Sequence, residues 1–124
     1  QKDQVKNMDT PRSEHSEQVD FVSWFRLSYP EVLIFAIPNG GYRSPSTANR
    51  LKSEGVVRGI PDLYIPAWSL WIEMKRTKGG SVSADQKSMM EYLTKYCQHK
   101  AIVTKGSEDA KSQVFDFVQR REKW

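Results

Sequence analysis

The sequence predicts a single three-layer α/β domain, a small mixed β-sheet flanked by helices. Three observations carry this. The 124 residues suffice for one hydrophobic core but not for two. Helical and strand periodicities alternate in the order helix, strand, helix, strand, strand, helix, strand, helix. One pair of consecutive strands is joined by a loop short enough to force a hairpin, while the other strands are separated by helical stretches.

Residues 1–12 carry few apolar groups and end in Thr10-Pro11-Arg12, which reads as a tail or helix lead-in ahead of a single domain spanning 13–124. Gln18, Phe21, Val22 and Phe25 recur at helical spacing and define a buried stripe on a helix that ends before Pro30. Counting back four from Gln18 reaches Glu14, which puts that carboxylate on the inward side of the first turn. Val32 to Ile37 reads as a buried strand, stopped by Pro38-Asn39-Gly40-Gly41. Ser46 is placed to cap a short helix through Leu51 and Glu54, which Gly55 ends.

Leu63-Tyr64-Ile65 and Leu70-Trp71-Ile72-Glu73-Met74-Lys75 then form a hairpin around Pro66-Ala67-Trp68-Ser69. Ser83 and Gln86 have capping-box spacing and open a helix with Met89, Met90, Leu93 and Cys97 inward. Ala101 to Thr104 is a strand broken by Gly106. Ser107 caps a final helix whose apolar side is Ala110, Val114, Phe117 and Val118.

Composition narrows the function classes. No stretch approaches the roughly 20 apolar residues of a membrane span, and the polar start Gln1-Lys2-Asp3-Gln4 is not a secretory leader. Cys97 has no partner for an internal disulfide, and His15 and His99 do not supply zinc-ligand spacing, so a reduced, cytoplasmic setting is expected. The net charge of +4 and pI of about 9.2 lean toward a polyanionic partner.

The hairpin carries the chemistry. If Ile65 faces Leu70, antiparallel pairing sets Leu63 opposite Ile72, Tyr64 opposite Trp71 and Asp62 opposite Glu73. Alternation sends Leu63, Ile65, Leu70, Ile72 and Met74 to one face and Asp62, Glu73 and Lys75 to the other. Two opposed carboxylates repel, so a cation belongs between them. Mg²⁺ suits such a pair, because it binds through one or two carboxylates and keeps waters for phosphate oxygens and a nucleophile. Lys75, two residues beyond Glu73, is placed to orient an attacking water and balance charge developing on a phosphate.

Pro61-Asp62, ten intervening residues and Glu73-Met74-Lys75 resemble the PD-(D/E)XK nuclease pattern. The flanks add to it in order: Glu14-His15 with Gln18, Pro38-Asn39-Gly40-Gly41 with Arg43, Gly55-Val56, Gly59-Ile60-Pro61-Asp62-Leu63, and Ser83 to Gln86. From about Glu14 to Val118 the chain resembles the virus-type replication-repair nuclease (VRR-NUC) family in its short stand-alone form. The resemblance implies a restriction-endonuclease-like core and a Mg²⁺- or Mn²⁺-dependent endodeoxyribonuclease. It implies Asp62, Glu73, Glu14 and the backbone carbonyl of Met74 as metal ligands, Lys75 as the catalytic lysine, and Gln86 as its support. Asn39, Gly40 and Gly41 match a loop lining the site. Stand-alone members of this family resemble Holliday-junction-resolving enzymes and act as homodimers, so the resemblance implies a homodimer acting on Holliday junctions or other branched DNA. Flap removal, sequence-specific cleavage and a non-catalytic DNA-binding module are the alternatives.

Some of these residues have ordinary explanations as well. Glu14 suits a helix N-terminus through the dipole, and Gln86 suits a capping box with Ser83. Arg43, Arg50, Lys52, Arg58, Arg76 and Lys78 flank the hairpin, where they are placed to contact phosphates.

Overall fold

The computed structural model describes residues 12–38 and 43–122. Helix α1 (Glu14–Ser28) starts at Ser13, whose hydroxyl accepts a hydrogen bond from the Ser16 N–H at 3.0 Å. Strand β1 (Phe35–Ala36) and helix α2 (Pro45–Ser53) follow. Strand β2 (Leu63–Ile65), a 3₁₀ turn (Pro66–Trp68) and strand β3 (Leu70–Lys75) make the hairpin. Helix α3 (Ala84–Lys95), strand β4 (Lys100–Lys105) and helix α4 (Ser107–Glu122) complete the described fold.

The four strands form one mixed sheet in the order β1-β2-β3-β4, with β1–β2 and β2–β3 antiparallel and β3–β4 parallel. The hairpin register is Leu63↔Ile72, Tyr64↔Trp71 and Ile65↔Leu70, as the alternation of the sequence requires. Leu63, Ile65, Leu70, Ile72 and Met74 pack with Phe21 and Phe25 of α1 and Ala110 and Val114 of α4, all of them buried. This is the main core, on one face of the sheet. Glu73 and Lys75 point to the opposite face, where Gln86 of α3 meets them. Helices on both faces make the three layers.

Three local expectations are corrected. The strand expected over Val32–Ile37 contracts to Phe35–Ala36, because its neighbour in the described sheet, β2, is itself three residues long and is bounded by Pro66, which has no N–H to donate. Helix α2 is capped by Ser44 rather than Ser46: the Ser44 hydroxyl accepts from the Thr47 N–H at 3.3 Å, and Pro45 fills the first turn, where a missing N–H costs nothing. Ser107 is the first residue of α4 rather than its cap. Its N–H is taken by the buried Glu17 carboxylate of α1 at 3.2 Å, and its hydroxyl donates to Asp20.

Candidate active site

The hairpin ladder ends at Leu63↔Ile72, and just past it the Asp62 and Glu73 carboxyl groups come together. Asp62 is fixed from the backbone, since its Oδ2 accepts the Met74 N–H at 2.7 Å. Glu73 is only 2% exposed, and its Oε1 is buried with no hydrogen-bond partner among the described residues. Burial first, then the charge of Asp62 and a hydrogen bond shared with it, push the Glu73 carboxyl up to about 8, against a partial offset from Lys75. The site is therefore short of positive charge, and one acceptor oxygen is left over.

Lys75 and Gln86 close the other side. The Lys75 ammonium lies 3.4 Å from Glu73 Oε2 and donates to Gln86 Oε1 at 3.1 Å. The Gln86 amide nitrogen donates to Glu73 Oε2 at 3.1 Å, so one side chain bridges the acid and the base. Its orientation is fixed by its own helix: Ser83 N–H donates to Gln86 Oε1 at 2.9 Å and the Ser83 hydroxyl accepts from Gln86 N–H at 3.2 Å. With Oε1 held as acceptor by Ser83 and Lys75, Nε2 is left to face Glu73. The capping box and the bridge are thus one arrangement.

The loop leading into β2 is pressed against the start of the same helix. A Cβ on Gly59, whose φ is +85°, would lie 2.6 Å from the Asp85 carbonyl oxygen. Only glycine allows the Gly59-Ile60-Pro61-Asp62 segment this close to the first turn of α3.

Other expected residues fall elsewhere. Glu14 is exposed rather than inward, and among the described residues no group of three His, Cys, Asp or Glu is close enough to hold a metal, so Glu14 does not join Asp62 and Glu73. The buried stripe of α1 runs Glu17, Phe21, Phe25, and the buried acid is Glu17, consumed in holding the start of α4. Asn39, Gly40 and Gly41 lie outside the described residues. Arg43 is half-buried and donates to the Pro38 carbonyl at 3.1 Å. Arg76 and Lys78 are exposed in the loop that follows Lys75. Arg58 pairs with Asp85 at 3.8 Å and Arg50 with Glu54 at 4.0 Å, while Lys52 is exposed.

A row of rings that the sequence signals only through strand alternation lies beside the acids. Phe35, Tyr64, Trp71 and His99 pack together, with Tyr64 and Trp71 centroids 4.1 Å apart. The signal was the same alternation, since Tyr64 and Trp71 share a face with Asp62 and Glu73.

No family model matches the chain, and no curated protein matches it in sequence. A solved structure, a VRR_NUC domain protein, superposes with a TM-score of 0.71 at 24% identity, covering 89% of this chain and 91% of that one. The chain has the fold of that VRR_NUC domain.

Proposed function

We propose that this chain is a Mg²⁺- or Mn²⁺-dependent endonuclease of the VRR-NUC type that hydrolyses phosphodiester bonds in branched DNA, four-way junctions among them. The observation that carries the reading is the repelling pair of half-buried Asp62 and buried Glu73, whose Oε1 has no partner among the described residues, beside a buried lysine. Such a pair fits a divalent cation, which neutralises two carboxylates that otherwise repel each other. Asp62 and Glu73 would hold it. The Met74 carbonyl fits as a third donor, because in an extended strand a residue's N–H and C=O point to the same side, and the Met74 N–H already points at Asp62. Glu14 has no place in this set as the side chain stands.

A bound Mg²⁺ or Mn²⁺ would polarise the phosphate and lower the pKa of water. The protein's own groups do the rest. Lys75, held between Glu73 and Gln86, presents its ammonium where negative charge develops on the phosphate, and it orients the attacking water through its remaining donors. Gln86 keeps the lysine from collapsing onto Glu73 alone. Arg76 and Lys78, exposed just past Lys75, fit contacts to flanking phosphates. A symmetric cut of a four-way junction calls for two copies of the chain, since each supplies one such site.

Incubation with a panel of four-way junction, flap and linear duplex DNA tests the reading. Cleavage is expected only with Mg²⁺ or Mn²⁺, with branched substrates preferred. Lys75→Ala is expected to abolish cleavage while leaving DNA affinity within a few-fold of wild type. Undiminished cleavage by that variant overturns the mechanism, and failure of Asp62→Asn to weaken Mn²⁺ binding favours a non-catalytic DNA-binding module.

A further inference from the structure

Two residues along the ladder from Asp62 and Glu73, and on their face of the sheet, Tyr64 and Trp71 pack against each other. Phe35 of β1 extends the row outward at a centroid distance of 5.8 Å from Tyr64, and His99 closes it at 5.8 Å on the other side. The Trp71 indole N–H donates to His99 Nδ1 at 3.0 Å, which fixes the inner rings in place. Here α3 packs along β4, while β1, at the far edge of the sheet, presents Phe35 41% exposed.

We propose that this aromatic row stacks an unpaired nucleobase next to the scissile phosphate, so that the preferred substrate carries a single-stranded nucleotide beside the cut. The inference rests on the nuclease reading above. Its support is position. The step from the acids to Tyr64 and Trp71 is roughly 7 Å, two strand residues, a span that one unstacked nucleotide bridges. A base bound there would leave its own phosphate at the Asp62–Glu73 pair. Ring stacking also suits a site that must accept branched DNA of any sequence, because every base has a π-face. A continuous duplex cannot offer an unpaired base, whereas a flap or an opened junction can.

The test is metal-free binding in EDTA. Fluorescein-labelled flap DNA carries either adenine or an abasic residue at each of the three nucleotides flanking the branch in turn. Wild-type protein is expected to bind the adenine form roughly tenfold tighter at one of these positions. Phe35→Ala and Tyr64→Leu are expected to bind both forms equally, and Phe35→Trp to restore the preference. Equal binding of the two forms by wild type, or a preference that survives Phe35→Ala, overturns the proposal. If Phe35→Ala instead reduces oligomer mass in light scattering with the preference unchanged, the row is an interface between copies and the proposal falls. The assay does not read cleavage, so the two readings fail separately: a lost preference leaves Lys75-dependent cleavage standing, and absent cleavage leaves base stacking standing.

Discussion

Gln86 occupies three hydrogen bonds at once, and each constrains the others. Its Oε1 accepts from Lys75 and from Ser83 N–H, and its Nε2 donates to Glu73. In metal sites, loss of a residue that hydrogen-bonds to a ligand typically costs about 10- to 100-fold in activity. Gln86→Leu is accordingly expected to lower kcat by roughly 10- to 100-fold, and Gln86→Glu to do worse, because a third carboxylate beside Glu73 adds repulsion. Ser83→Ala removes the cap hydroxyl but keeps the N–H that positions Gln86, so it is expected to cost about 1 kcal/mol in stability and little in kcat. Thermal melts and steady-state cleavage on the three variants separate the roles. The Ser83–Gln86 spacing made the cap legible in the sequence, and the hairpin alternation made Asp62, Glu73 and Lys75 legible as one face. Glu14 is exposed rather than on the buried stripe for an equally local reason. Helical spacing from Gln18 points back to Glu14, whereas Phe21 and Phe25 continue back to Glu17, whose carboxylate takes the Ser107 N–H, 90 residues away in sequence. No local pattern carries such a contact.

At the level of elements, the site is assembled by two pieces that meet only in three dimensions, the β2–β3 hairpin and the first turn of α3. Gly59 is where they touch. Gly59→Ala would place a methyl 2.6 Å from the Asp85 carbonyl oxygen in a backbone region with φ +85°. Relief requires α3 to move away from the hairpin, taking Gln86 with it. Destabilisation of roughly 1–3 kcal/mol is expected, together with a loss of cleavage similar to that of Gln86→Leu. Gly55→Ala is the control: its φ of +100° is equally unfavourable, but nothing lies within 4 Å of the added Cβ, so stability should fall while kcat holds. An unchanged kcat for Gly59→Ala, at a temperature where the variant is folded, would refute the coupling. The hairpin was the most legible element because its register follows from pairing across one short loop. Strand β1 and helix α2 were less so, as their limits depend on how much of β2 is left to pair with and on a proline at the first helical turn.

For the whole molecule, the core on the α1/α4 side stabilises the fold and the acid pair on the α3 side opposes it, and the balance between them depends on pH. Glu73 is raised from 4.5 to about 8 in the folded protein. Below the lower value the residue is protonated in both folded and unfolded chains, and above the upper value it is ionised in both. Between them the folded state holds a proton that the unfolded state has released, so this residue's contribution to stability is lost as pH rises through that window. In EDTA, Tm of the wild type relative to Glu73→Gln is therefore expected to fall from pH 5 to pH 8. A divalent cation held by these two carboxylates, as proposed above, would compete with that proton. At 100 times its Kd a ligand specific for the folded state adds about 2.7 kcal/mol, a rise in Tm on the order of 10 °C for a domain of this size. Mn²⁺ is thus expected to raise Tm strongly at pH 8, weakly at pH 5 where protons hold the site, and hardly at all in Glu73→Gln. Differential scanning fluorimetry of both proteins across that range, with Mn²⁺ and with EDTA, measures all three. An equal Mn²⁺ effect in Glu73→Gln would show that the cation binds elsewhere, and the destabilising acid pair would then lack the ligand that accounts for it.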